Sequence, residues 1–216
     1  MVIAIDGPAG AGKSTVSKLL ADRLNMMRLD TGALYRGIAL AATEAGVSTS
    51  DDEALSTLLG GLHLDQHEGV LWVNGADRSQ AIRQPHISQA ASDFAAVARV
   101  RDYLLDTQRD IASRRDCIVD GRDIGTVVFP QADVKIYLTA SVAQRAYRRW
   151  QELQEQGVSQ ELAQVQKEIE MRDEQDMNRP IAPLKQAEDA VVVDASELNL
   201  EEVVQACLDL VRTVYP

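Results

Sequence analysis

The sequence predicts an α/β fold with a parallel sheet, and two observations support this prediction. Short apolar runs alternate with segments of helical periodicity, which is the order expected of strand-helix-strand units. One strand-helix junction carries the pattern Gly-x4-Gly-Lys-Ser at residues 7–14, in the strand-loop-helix setting that the pattern requires. With 216 residues the chain is long enough for one sizeable core, so we expect a single domain with small insertions.

The N-terminal part of the chain predicts two strand-helix pairs followed by a short helix. Gly46 is expected to end the second long helix. The short helix follows Ser50-Asp51-Asp52-Glu53, which has the pattern of a capping box, and stops at Gly60-Gly61. The expected strands are residues 2–6 and 27–30, and the expected long helices are residues 14–24 and 33–45.

Residues 62–84 differ in character and predict a small antiparallel insertion. The dipeptide Asn74-Gly75 is the favoured sequence of a two-residue hairpin turn. Brief strand-like runs lie on both sides of it, at residues 62–65, 70–73 and 77–82.

Helical periodicity resumes after Pro85 and continues to Ile111, which predicts either one long helix or two helices with a bend. Compact apolar runs farther along predict buried strands at residues 117–120, 134–138 and 190–194. Three more helices are expected, with N-terminal caps at Ser141 (with Gln144), Ser159 and Asn199 (with Glu202), and with ends near Gly157, Pro180 and Val214.

Composition excludes several classes of function. A net charge of -11 argues against a general nucleic-acid binder, because polymers of phosphate are captured by broad basic surfaces. No apolar run approaches the roughly 20 residues of a membrane span, and Asp6 lies too early for a signal peptide. Cys117 and Cys207 lack the spacing of a metal or redox motif and are expected to be buried thiols. We therefore expect a cytoplasmic protein that binds neither membranes nor nucleic-acid polymers. We also expect a monomer, although nothing in the composition determines the oligomeric state.

The glycine-rich loop has the chemistry of a nucleoside triphosphate site. Glycines allow backbone N–H groups to wrap a phosphate, and the following helix directs its positive end at the anion. Lys13 supplies a mobile charge for the outer phosphates, and Ser14 offers a hydroxyl to Mg²⁺, whose other ligands are water and phosphate oxygens. The expected ATP-binding residues are Gly7, Pro8, Ala9, Gly10, Ala11, Gly12, Lys13, Ser14 and Thr15.

Three further polar segments follow predicted strands or helices. Residues 30–36 and 120–125 lie where strands end, which is the side on which open α/β sheets bind ligands. Each could equally be a polar loop with a local ion pair. Residues 172–180 place arginines near the end of a helical segment, where they could close over phosphates during phosphoryl transfer or form a solvated charged face.

Taken together, these segments resemble the bacterial cytidylate kinases over nearly the whole chain. The resemblance implies a three-layer α/β fold with a five-stranded parallel core, a monophosphate-binding insertion and an arginine-bearing lid. It also implies transfer of the γ-phosphoryl group of ATP to CMP or dCMP. Matching motifs lie at residues 7–14, 29–36, 90–92, 99–101, 120–130 and 172–183, and the implied core is residues 1–60, 112–156 and 180–216, with the insertion at 61–111 and the lid at 157–179.

The resemblance also implies roles for individual residues. Arg36 and Arg122 would hold the acceptor's phosphate, while Ser92, Arg101 and Asp123 would read the cytosine. A carboxylate can accept from the N4 amino group of cytosine, whereas uracil reverses this edge. The implied catalytic residues are Lys13, Arg122, Arg172 and Arg179, and the implied CMP-binding residues are Thr31, Tyr35, Arg36, Ser92, Arg101, Arg122, Asp123 and Asp176.

The sequence departs from the family's pattern at three positions. Gln175 and Met177 stand where further arginines are expected, and Thr31 replaces the commoner Ser, so the lid relies on fewer cations. Asp120 is well placed to bind Mg²⁺, but an ion pair with Arg122 would suit it equally.

Two other classes of protein share part of this sequence pattern. A nucleotide-dependent switch begins with the same loop, but the chain has no Asn-Lys-x-Asp to read guanine. A kinase of UMP or of a small metabolite such as shikimate or gluconate is the closer alternative, and the antiparallel insertion favours a nucleotide acceptor. His63 and His67 are expected to be surface residues, and residues 145–150 to form a half-buried helix face with solvated arginines.

Overall fold

The computed structural model describes residues 1–155 and 157–215. The expected boundaries at residues 156 and 216 lie outside the described residues. The strands are β1 (Val2–Asp6), β2 (Met27–Asp30), β3 (Leu64–His67), β4 (Val70–Val73), β5 (Ala76–Asp77), β6 (Cys117–Gly121), β7 (Val134–Thr139) and β8 (Val191–Asp194). The helices are α1 (Lys13–Leu24), α2 (Thr31–Ala45), α3 (Asp52–Gly60), α4 (Pro85–Phe94), α5 (Ala98–Ser113), α6 (Val142–Glu155), α7 (Leu162–Asn178) and α8 (Leu200–Val214), with a 3₁₀ turn at Ala81–Arg83 and a π-helical turn at Ile124–Val128.

A five-stranded parallel sheet lies at the centre, in the order β2-β6-β1-β7-β8. Alternate residues of β1 point to opposite faces: Ile3 and Ile5 pack with α1 and α8, and Ala4 packs with the helices on the other side. Because both faces are covered, the central strands are continuously apolar rather than alternating. The predicted parallel α/β fold and its five-stranded core are confirmed.

The predicted antiparallel insertion is a three-stranded sheet in the order β3-β4-β5. Asn74 and Gly75 both have positive φ, 50° and 78°, as a two-residue hairpin turn requires. The expected strand at residues 77–82 is wrong, because Asp77 accepts a hydrogen bond from the Ser79 N–H and turns the chain after β5. The 3₁₀ turn then leads into α4.

Helix caps account for most differences at element ends. Asp30 accepts from the Ala33 N–H, so α2 begins at Thr31, two residues before the predicted start. Asp51, and not Ser50, caps α3. The expected cap at Ser159 is wrong, since α7 begins at Leu162. The capping box of Asn199 with Glu202 is confirmed at α8.

The helical stretch after residue 85 is two helices. Val97 has extended backbone angles, and this break separates α4 from α5. The break exposes the Ala95 carbonyl, which accepts a hydrogen bond of 3.2 Å from Arg101. The bend therefore fixes a side chain that points back toward the central sheet.

Both cysteines are free and buried, as expected. Burial raises the pKa of the Cys117 thiol to about 11 and that of Cys207 to about 12. Among the helices of the described residues, none has the length and apolar character that crossing a membrane requires.

Candidate active site

One edge of the central sheet carries most of the residues that the sequence singles out. The carboxyl ends of β1, β2 and β6 meet there, and their loops surround a cavity of about 660 Å³. Gly7 and Pro8 lie outside the lining, and Arg101 reaches the site only through its neighbours. The lining residues that the sequence predicted are Ala9, Gly10, Ala11, Gly12, Lys13, Ser14, Thr15, Thr31, Tyr35, Arg36, Ser92, Arg122, Asp123, Arg172, Asp176 and Arg179.

The loop between β1 and α1 depends on its glycines. Gly7 has a φ of 148°, and a Cβ there would lie 1.9 Å from the Leu138 carbonyl oxygen, so the chain can pass β7 only without a side chain. Gly12 is the N-cap residue of α1 and has a φ of 91°. It has no side chain to bond the first amides of the helix, and the space where its Cβ would lie is open. The first amides of α1 therefore face the cavity unobstructed.

Lys13 is buried beneath this loop. Its Nζ donates hydrogen bonds of 2.7 Å to the carbonyl oxygens of Gly7 and Pro8. Burial, and then the nearby Arg122, lower the pKa of the ammonium. A buried cation of this kind at the start of a helix is suited to bind an anion.

Asp120 at the end of β6 is the centre of a polar network. Its carboxylate accepts hydrogen bonds from Ser14 (3.2 Å) and Ser17 (2.7 Å). It also accepts from Arg28 Nε at 3.0 Å. The alternative ion pair of Asp120 with Arg122 is therefore wrong. Sequence reasoning missed Arg28 and Ser17, although Arg28 lies two residues before Asp30 and so shares its face of β2.

Asp6 is a second buried carboxylate that sequence reasoning missed as a site residue. Its two oxygens accept from the backbone N–H groups of Ile124 (2.8 Å) and Gly125 (2.7 Å). These bonds fix the π-helical turn directly after Arg122 and Asp123. Burial raises the pKa of Asp6 to about 6.

Four arginines of the site pair with carboxylates from other elements. Arg36 contacts Asp30 at 3.4 Å, and Arg122 donates to Asp176 of α7 at 2.7 Å. Asp123 lies between two guanidinium groups, Arg101 on one oxygen and Arg179 at 3.2 Å on the other. Asp123 therefore joins the central sheet to α5 and to the end of α7.

Tyr35 completes this side of the cavity. Its ring lies 5.7 Å from the Arg101 guanidinium, a cation–π distance. Burial raises the pKa of the Tyr35 hydroxyl to about 12, so it is a neutral hydrogen-bonding group.

Helix α7 makes up most of the expected lid at residues 157–179, and it is tied, with the preceding helix α6, to the phosphate-binding loop. Asp173 accepts a hydrogen bond from Arg145 at 2.6 Å and one from the Ala9 N–H at 3.2 Å. Arg145 is buried, so the expectation of solvated arginines at residues 145–150 is wrong for this residue. Arg172 has a buried Nε without a hydrogen-bond partner in the described part of the chain, and burial lowers its pKa to about 10.

The far end of the cavity is lined by residues outside the expected ATP-binding and CMP-binding sets, although one of the arginines at residues 145–150 is also a candidate contact for the adenine. Tyr147, Arg148 and Gln151 come from α6, Leu200 is the first residue of α8, and Leu198 lies in the loop just before it. Their only signal in the sequence is an aromatic and basic face on a helix, which is common on surfaces. This end therefore combines apolar side chains such as Leu198 and Leu200 with polar ones such as Gln151.

The fold and the cavity define a class of protein. A parallel sheet, a Gly-x4-Gly-Lys-Ser loop leading into a helix, and arginines converging on the opposite wall are the features of a P-loop kinase. Solved structures agree on the fold: shikimate kinase from Bacteroides thetaiotaomicron aligns with a TM-score of 0.52 at 15% identity, covering 98% of both chains. A gluconokinase from Sinorhizobium meliloti gives a TM-score of 0.51 at 15% identity, covering 99% of this chain and 93% of that one.

Sequence comparison defines the family within this class. The cytidylate kinase family profile matches residues 3–213. A cytidylate kinase from Thermosipho melanesiensis is 47% identical, covering 97% of this chain and 96% of the relative. One from Lactobacillus johnsonii is 43% identical, covering 98% of this chain and 94% of the relative. The chain belongs to the cytidylate kinase family.

Proposed function

We propose that this protein transfers the γ-phosphoryl group of ATP to CMP or dCMP, giving ADP and CDP or dCDP. Besides family membership, one structural observation supports this proposal. Lys13 and the two arginines Arg36 and Arg122 line the same cavity. Two phosphate-bearing ligands can thus meet between a wall of main-chain amides and a wall of guanidinium groups. Such a site catalyses by positioning and by charge stabilisation, with little covalent participation of the protein.

ATP is assigned to the wall formed by the loop from Gly7 to Thr15. The free amides at the start of α1 bind the phosphates, and Lys13 supplies positive charge to the outer ones. The nucleoside would extend along α6 toward Tyr147 and Leu198, which line the far end of the cavity. This assignment places the γ-phosphate toward Arg122.

Mg²⁺ accompanies ATP in this proposal. The Ser14 hydroxyl and an Asp120 carboxylate oxygen lie 3.2 Å apart beside the loop, and hard oxygen donors of this kind suit Mg²⁺. No cluster of three or more His, Cys, Asp or Glu side chains lies together within residues 1–155 and 157–215, so phosphate oxygens and water would complete the ligand set. The ion neutralises phosphate charge when it is bound.

CMP is assigned to the opposite wall. Arg36 and Arg122 hold its phosphate, since planar guanidinium groups make two-point contacts to phosphate oxygens. Ser92, Arg101 and Asp123 read the cytosine, Thr31 and Tyr35 line its path, and Asp176 serves the sugar. Support comes from burial: a carboxylate such as Asp123, 4% exposed, discriminates strongly against a base edge that cannot donate to it.

Arg172 and Arg179 are assigned to the transferring phosphates. Both line the cavity from the α7 side, and Arg172 has an unpaired buried Nε in the described chain. Cations on this wall would stabilise the charge that spreads over the transferred group and would keep water out. We also propose that the protein acts as a monomer in the cytoplasm on free nucleotides.

A single coupled assay of ADP release tests the function. Purified protein with ATP and Mg²⁺ is given CMP, dCMP, UMP, AMP, GMP, shikimate and gluconate in separate reactions. We expect rapid release with CMP and dCMP, and only slow release with the others. The Lys13→Met variant controls for a contaminating kinase. Absence of acceptor-dependent ADP release with every compound would reject the proposal, and preference for shikimate or gluconate would assign a different acceptor.

A further inference from the structure

Arg28 on β2 contacts both sides of the candidate site, although no motif includes it. Its Nε lies 3.0 Å from Asp120 Oδ1 and 2.7 Å from Ser17 Oγ. One of its terminal nitrogens lies 3.1 Å from Asp30 Oδ2. The side chain is 21% exposed, so these contacts are largely shielded from solvent.

The sheet itself creates the need for this cation. Asp30 and Asp120 are direct partners in the parallel pairing of β2 with β6, which brings two carboxylates side by side at the sheet edge. Two like charges at adjacent positions repel each other, and burial increases the cost. Arg28, two residues before Asp30, shares its face of the strand and bridges the pair.

The hydrogen bonds around Ser17 run in one order, from Arg28 through Ser17 to Asp120. A hydroxyl carries one proton, and Ser17 Oγ accepts from Arg28 Nε, so it donates to Asp120 Oδ1 at 2.7 Å. Asp120 is thereby held with its second oxygen toward Ser14, at 3.2 Å. Arg28 and Ser17 together orient the Asp120 carboxylate.

On the acceptor side, Arg28 shares Asp30 with Arg36. The Asp30 carboxylate accepts from the Ala33 N–H at 2.9 Å and contacts Arg28 at 3.1 Å. Its contact with Arg36 is the longest of the three, at 3.4 Å. Arg28 and Arg36 therefore share the neutralisation of Asp30, and this sharing leaves Arg36 with hydrogen-bonding capacity for another anion.

We propose that Arg28 is a positioning residue that keeps Arg36 available to the acceptor's phosphate by neutralising the neighbouring carboxylates Asp30 and Asp120. This inference rests on the proposed function, since it assumes that the acceptor is a monophosphate. Without Arg28, Asp30 draws Arg36 into a full ion pair, and the two uncompensated carboxylates oppose an incoming dianion. In the wild type, Arg28 thus favours binding of the acceptor by neutralising the two carboxylates, without contacting the acceptor itself.

Calorimetric titration of CMP and of ATP, each alone, tests the inference without turnover. Arg28→Met should weaken CMP binding by about tenfold and ATP binding by less than about threefold, because only the acceptor's phosphate depends on Arg36. Adding Asp30→Asn should restore CMP affinity to within about threefold of the wild type, since Asn still caps α2 but carries no charge. If Arg28 had only a structural role, the double variant would bind CMP more weakly than Arg28→Met, because the second substitution would destabilise the site further.

Arg114→Met is the matched control. Arg114 also bridges two carboxylates, Asp65 at 2.8 Å and Asp110 at 2.9 Å, but it is exposed and absent from the cavity lining. We expect this variant to bind both nucleotides like the wild type. Comparable loss of CMP affinity in Arg28→Met and Arg114→Met would overturn the inference.

Two further variants keep the test decisive if Arg28→Met folds poorly. Arg28→Lys retains the charge and should bind CMP more tightly than Arg28→Met, and Asp30→Asn alone should bind CMP at least as well as the wild type. Weaker CMP binding by Asp30→Asn would show that the charge of Asp30 is itself required, which overturns the inference. Failure of the wild type to bind CMP would instead reject the proposed function.

Discussion

Asp173 of α7 accepts a hydrogen bond of 3.2 Å from the backbone N–H of Ala9, in the loop that forms the phosphate-binding wall. Arg145 of α6 bonds to the same carboxylate at 2.6 Å and to the Ala9 carbonyl at 2.9 Å. All three groups are buried. The main chain of the loop is therefore fixed at Ala9 by an ion pair that joins α6 to α7.

Removing one partner of this pair should destabilise the protein strongly. Asp173→Asn or Arg145→Met leaves a buried charge without compensation, which costs about 3–5 kcal/mol of unfolding free energy in comparable cases. The double variant should lose less than the sum of the two single variants, because the partners interact directly. Urea denaturation measures these values. The exposed pair of Asp209 and Arg212, 3.5 Å apart, is the control, and its removal should leave stability unchanged.

Gly12→Ala should impair nucleotide binding more than folding. The residue has a φ of 91°, so a Cβ strains the backbone by about 1 kcal/mol. The added methyl group also enters the open space beside the first amides of α1, where the phosphates are expected. Gly46→Ala, with a φ of 68° and open space around it, carries the strain alone. We expect similar melting temperatures for the two variants but loss of ATP affinity only in Gly12→Ala. Equal ATP affinities would contradict this assignment of the loop.

Asp6 should give the protein a distinctive dependence on pH. Its pKa is raised from 3.8 to about 6 by burial, so the folded protein retains a proton that the unfolded chain releases in this range. The stability that this proton confers is present below pH 4 and is lost as the pH rises through 6. The unfolding free energy of the wild type, compared with Asp6→Asn, should therefore fall by about 3 kcal/mol between pH 3.5 and 7.

Asp77 is a control with the opposite pKa shift, and its contribution is measured in the same way, as unfolding free energy against pH. Hydrogen bonds from Ser79 lower the pKa of its carboxyl group, so the stability it confers is present above pH 4 and is lost on acidification. The difference between the wild type and Asp77→Asn should rise with pH while that for Asp6→Asn falls. A flat difference for Asp6→Asn across this range would show that its buried carboxyl group does not titrate as described.

Arg122 should be more important for turnover than for stability. Its guanidinium lines the cavity and is held by Asp176 at 2.7 Å. Arg122→Ala should lower kcat by about 100-fold or more, because a preorganised cation facing transferred charge is lost. Arg122→Lys keeps a charge without the planar fork and should retain an intermediate rate. Steady-state kinetics with CMP measure both, and an unchanged kcat in Arg122→Ala would remove this residue from the catalytic set.

The sequence predicted those parts of the fold that local patterns determine. The parallel strands are continuous apolar runs, and the long helices have regular apolar periodicity. The capping box of α8 is also local, because Asn199 and Glu202 are only three positions apart. The strand at residues 77–82 was wrong because one hydrogen bond between Asp77 and Ser79 turns the chain, and apolar alternation does not reveal this. Local chemistry outweighed the pattern there.

The candidate site was predicted where it follows strand ends, and missed where it depends on distant pairing. Arg28 meets Asp120 only because β2 lies beside β6, and Asp6 meets Ile124 only because β1 lies on the other side of β6. Arg145 was expected to be solvated, since nothing in its own helix indicates Asp173. The first two pairings are set by sheet order and register, and the third by the packing of α6 against α7. A single sequence displays neither.

Asp123 gives one oxygen to Arg101 of α5 and the other to Arg179 at the end of α7, so a single side chain tethers two peripheral segments to the central sheet. A base that donates to this carboxylate competes with both tethers at once. If Asp123 reads the acceptor's base as proposed, selection of the pyrimidine and movement of these two segments would be coupled through one carboxylate.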